Sequence, residues 1–134
     1  MSLLCTAKFE VGKWSNIMKN EDYEIDLGFV ITKSPFESTL GSGFLELAKK
    51  AIDDDKKVGL FFISDGVWFM KKNQESGAIE NLLKKGAEIT VSKDNLEAAG
   101  IEENELIDGV TISEKPYIDL VVLVMEKWNQ VMTI

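Results

Sequence analysis

Apolar and polar residues begin to alternate at Glu24: Ile25, Leu27 and Phe29 are separated by Asp26 and Gly28, and Val30 and Ile31 then make the run apolar on both sides. That pattern predicts a strand entering a sheet that is covered on both faces. After a hydroxyl-rich loop, Leu40, Phe44, Leu45, Ala48 and Ile52 recur at helical spacing, and Asp53-Asp54-Asp55 ends the helix. A second strand, 58–63, is apolar throughout and stops at the turn signal Ser64-Asp65-Gly66. Ile79, Leu82 and Leu83 mark a helix closed by Lys84-Lys85-Gly86, and 88–92 reads as the third strand.

Asp94 and Glu97 have the spacing of a capping box, which predicts a short helix from Asn95 to Gly100. The acidic stretch 101–108 reads as a solvated, turn-rich connection, and 110–112 as a short fourth strand. Pro116 suits the first turn of a helix. Tyr117, Leu120, Val121, Val124, Met125 and Trp128 continue that helix on a 3.6 period, leaving 131–134 as a fifth strand. The alternation of strands and helices predicts an α/β protein: a three-layer α/β/α domain with a mainly parallel five-stranded sheet and right-handed crossovers. Residues 1–22 lack sustained periodicity and read as an N-terminal extension to a domain over 23–134. The aromatic residues of that extension are expected to pack on the core rather than on a neighbouring subunit.

Composition narrows the chemistry. The 134 residues suit one domain. They contain no histidine, no arginine and one cysteine, Cys5. Imidazole-based triads and zinc sites cannot be assembled within such a chain, and an intrachain disulfide is impossible. Lysines and backbone amides are the remaining anion binders. A net charge of −8 opposes binding to nucleic acid and to anionic membranes. No apolar run approaches the ~20 residues that span a bilayer, and a single free cysteine suits a reducing compartment, so a cytoplasmic location is expected. No metal and no cofactor is expected either.

In a parallel sheet ligands bind outside the carboxyl ends of the strands, which here means the loops after the first three. The first carries Ser34, Pro35, Ser38, Thr39 and Ser42 and loosely resembles the phosphate loop of flavodoxins, although Glu37 would repel a phosphate and capping is the more ordinary use of such hydroxyls. The second places Asp65 and Gly66 directly after a buried strand. Asp65 suits a capping role or acid–base work, and Trp68 and Phe69 suit an interface or a pocket wall. The third begins with Ser92 and Lys93: the serine either closes the strand and caps the next helix or serves as a nucleophile with a lysine or carboxylate as base. Together Ser34, Pro35, Asp65, Gly66, Ser92 and Lys93 form the expected ligand-binding pocket.

From Glu24 onward the order of these features resembles the DsrE/DsrF-like family, whose members include sulfur-relay proteins. The likeness rests on the loop 32–35, the segment 61–67, the stretches 86–92 and 98–101, and the strand at 109–112. In sulfur-transferring members the third strand ends in a cysteine that accepts a persulfide sulfur, and Ser92 stands at that position. The resemblance implies a degenerate or accessory relative of intracellular sulfur relay, a homo-oligomer (trimer or hexamer) and a sulfur-relay protein as partner. The alternative is an assembly module that binds a small ligand or nucleotide in a flavodoxin-like strand-end pocket.

Overall fold

The computed structural model describes residues 23–35, 43–72 and 77–134. The expected extension, residues 1–22, and the loop residues Glu37, Ser38, Thr39 and Ser42 lie outside them. Five strands form one all-parallel sheet: β1 (Ile25–Ile31), β2 (Val58–Phe62), β3 (Glu88–Ser92), β4 (Thr111–Ser113) and β5 (Trp128–Thr133). Their order across the sheet is β4-β3-β2-β1-β5. The helices are α1 (Gly43–Asp53), α2 (Ala78–Lys84), α3 (Lys93–Ala99) and α4 (Pro116–Val122), with 3₁₀ turns at Ser64–Met70 and Glu103–Glu105. A π turn, Leu123–Lys127, continues α4 straight into β5. No described helix is long and apolar enough to cross a membrane.

Strand order fixes where the helices lie. From β1 to β4 the chain steps in one direction, and then it returns past β1 to place β5 on the other side. Right-handed crossovers put connections running in opposite directions on opposite faces of a sheet. The side chains agree. Phe29 and Ile31 of β1, Leu60 and Phe62 of β2 and Ile89 and Val91 of β3 join Phe44 and Ala48 of α1, Ile79 and Leu82 of α2 and Leu96 of α3 in one buried cluster. The alternate residues Val30 and Phe61 join Val124, Trp128 and Val131 in a second, smaller cluster, against which Leu120 and Leu123 pack. Three layers result, with three of the described helices on one face and one on the other.

Four elements differ from the sequence pattern. The last helix stops at Val122, and Trp128 begins β5 instead of ending a helix. The wide π turn keeps apolar residues facing the sheet past the point where a regular helix would, so the pattern continued across a change of structure. Asp94 is exposed in the first turn of α3, whose cap is Ser92. Within 101–108, the chain is not simply a solvated connection: Ile101, Leu106 and Ile107 are buried, and a capping box between Glu102 and Glu105 closes a 3₁₀ turn. Phe69 is buried against Phe44 and Phe62 rather than lining a pocket, while Trp68 is half-buried with the Lys71 ammonium 5.7 Å from its ring.

Candidate functional site

All strands being parallel, the carboxyl ends of β1 to β4 lie along one edge of the sheet, and each expected site residue ends or follows one of them. After β1, Ser34 is buried and Pro35 half-buried. After β2 the chain turns at once: the Ile63 N–H donates to the Ile31 carbonyl at 3.0 Å and the Gly66 N–H to the Ile63 carbonyl at 2.9 Å. This turn places Ser64 in the left-handed region at φ 52°, uncommon for a residue with a Cβ. A Cβ on Gly66 would lie 2.3 Å from the Ile31 carbonyl oxygen. Gly66 therefore lets the 3₁₀ turn seat against the end of β1. Asp65 is exposed in the first turn of this segment, which has no side-chain cap at its start.

The ends of β3 and β4 are built differently. Ser92 is 0% exposed, and its Oγ accepts the Asn95 N–H at 3.4 Å to cap α3. Its register partner on β4 is Ser113, 3% exposed, whose Oγ donates to Asp119 Oδ2 at 2.6 Å. Two buried hydroxyls thus stand side by side, each engaged in holding the start of a helix. Outside them Lys93 Nζ pairs with Glu114 Oε1 at 3.6 Å. A cavity of about 390 Å³ opens there, lined by Lys93, Glu103, Ile112, Glu114, Lys115 and Asp119.

Of the six expected residues, Lys93 alone lines this cavity. Ser92 lies beneath it as a neighbour of Lys93 in the chain and of Ser113 in the sheet. Ser34, Pro35, Asp65 and Gly66, which follow β1 and β2, do not line it. The residues that sequence reasoning missed are Glu103, Ser113, Glu114, Lys115 and Asp119. One signal was available: a second serine closing the next parallel strand. Chemically, the cavity offers three carboxylates against two ammonium groups, with no imidazole or thiol. No group of three or more carboxylate, thiol or imidazole side chains among the described residues could hold a metal ion.

Residues 26–127 match the DsrE/DsrF-like family. The chain belongs to that family. Two relatives in sequence are an uncharacterized protein of Methanocaldococcus jannaschii, 29% identical over 109 residues (76% of this chain, 94% of that one), and an uncharacterized protein of Methanopyrus kandleri, 29% identical over 91 residues (63% and 75%). Among solved structures, a protein of unknown function from Methanobacterium thermoautotrophicum superposes with a TM-score of 0.66 at 21% identity, covering 84% of this chain and all of that one. The ychN protein of E. coli superposes with a TM-score of 0.59 at 21% identity, covering 82% and 99%. At these identities the superpositions show a shared DsrE/DsrF-like fold.

Proposed function

We propose that this DsrE/DsrF-like chain is an accessory member of an intracellular sulfur relay that does not carry persulfide at the end of β3. The observation that carries this reading is the chemistry at residue 92. A carrier thiolate attacks the outer sulfur of a donor persulfide, the donor leaves as a thiolate, and one sulfur moves with no net oxidation. An aliphatic hydroxyl is not ionised near neutral pH and forms no stable bond of that kind. Ser92 Oγ also serves as the cap of α3. The sole thiol, Cys5, lies outside the described residues. What such a chain retains is a family surface, and its role is to associate with copies of itself and with a relay protein in the cytoplasm.

The mixed-charge cavity beside Lys93 supports a second reading, a module that binds a small polar ligand. Its excess of carboxylates favours a ligand bearing an amine over a nucleotide phosphate. For the first reading the test is direct. A Cys5→Ala variant incubated with a persulfide donor is expected to gain no sulfur by intact-mass spectrometry. An added mass of about 32 Da, one sulfur atom, would contradict it.

A further inference from the structure

Among the described residues, large hydrophobic side chains left in solvent are concentrated on one element. Tyr117 (73% exposed), Ile118 (62%) and Val121 (59%) lie on α4, and Met125 (63%) on the π turn that extends it. Leu47 on α1 is the other. Tyr117, Val121 and Met125 are spaced by four residues and form one stripe along the outside of the segment, opposite Leu120, Leu123 and Val124, which face the sheet. A concentrated apolar patch on a chain with net charge −8 marks an interaction surface.

We propose that this stripe is a two-fold interface at which a second copy of the chain packs its own α4 antiparallel to the first. Two features of the stripe favour a copy over an unrelated partner. The stripe is self-complementary: pairing about Val121 brings Val121 against itself and Tyr117 against Met125 of the second copy, a thioether–aromatic contact. Charge at its ends is complementary in the same arrangement. Lys115, before Tyr117, comes beside Glu126, after Met125, of the second copy. Both are exposed, and neither has an ion-pair partner among the described residues.

Size sets the strength of the contact. Side chains of this kind bury on the order of 100–200 Å² each. Four from each copy reach roughly 1,000 Å² in total, near the lower bound for a specific interface. The association is therefore concentration-dependent unless other surfaces reinforce it. This inference names the surface of the self-association contained in the proposed function, and it stands or falls on mass, whereas the persulfide test reads sulfur.

The experiment is sedimentation equilibrium of the full chain from micromolar to near-millimolar concentration, comparing wild type with Val121→Glu and with Leu47→Glu. Assembled wild type is expected, with its mass halved by Val121→Glu and unchanged by Leu47→Glu. Because residue 121 is exposed, the circular dichroism of the variant should match wild type. If it does not, Val121→Cys in a Cys5→Ser background replaces it and should form an interchain disulfide under mild oxidation, since a residue on the two-fold axis faces itself. A monomeric wild type at every concentration would overturn the proposal, the stripe then being covered by the chain's own residues 1–22 or by another protein. An assembly of unchanged mass in Val121→Glu, or failure of the Val121→Cys crosslink in an assembled protein, would overturn it equally.

Discussion

The two faces of the sheet solve the same problem with unequal means. On one, three helices lay a broad apolar layer over β1, β2 and β3, and Phe44 joins Phe29, Phe62 and Phe69 with ring centroids 5.1–6.4 Å apart. On the other, α4 and its π turn cover a smaller cluster in which Trp128 is the largest side chain. Its indole lies over two strand glycines: a Cβ on Gly28 would fall 2.1 Å from the ring, and one on Gly59 3.0 Å from its Nε1. The broad face spreads burial over many side chains, whereas the narrow one depends on one ring fitted to bare backbone and leaves its helix apolar outside. The narrow face is thus the one whose helix keeps apolar side chains in solvent.

Substitutions can break or sharpen that contrast. The largest effect is expected on the broad face, where Phe44→Ala removes the ring shared by three others and should cost about 3–5 kcal/mol of unfolding free energy in a denaturant titration. On the narrow face Gly28→Ala should cost about 1–3 kcal/mol through overpacking. Trp128→Leu should relieve that clash, so the double variant is expected to be more stable than the sum of the two single changes predicts, by about 1 kcal/mol or more. Strict additivity would mean that the glycine–indole fit does not organise this face. A smaller effect belongs to the strand ends: Ser92→Ala removes a cap whose hydrogen bond is long, at 3.4 Å, placing the loss near 0.5–1 kcal/mol. A loss well above about 2 kcal/mol would show that Ser92 does more than cap α3.

Much of the broad face was legible in sequence because buried parallel strands write continuous apolar runs, and 88–92 was delimited as the structure has it. The narrow face was harder to read. A π turn carries no residue signature of its own, so the helical period ran on through Trp128, although glycine at the interior of two strands signals a close approach. At the site, parallel topology located the edge, but not which side chains face outward. Two patterns competed for the start of α3, and the Asp94–Glu97 spacing obscured the cap that Ser92 makes to Asn95. Ser113 left a signal as a second serine closing a strand, but its contact with Asp119 was out of reach because it depends on the β3–β4 register and on how α4 leaves β4.

The central claim is that the side-chain chemistry at residue 92, rather than the fold around it, separates this DsrE/DsrF-like chain from a persulfide carrier. The most direct measurement compares Cys5→Ala with Cys5→Ala/Ser92→Cys after identical exposure to a persulfide donor, by intact mass and peptide mapping. The account predicts one added sulfur, mapped to residue 92, on the double variant and none on the single variant. Sulfur on the single variant, or none on either, would contradict it.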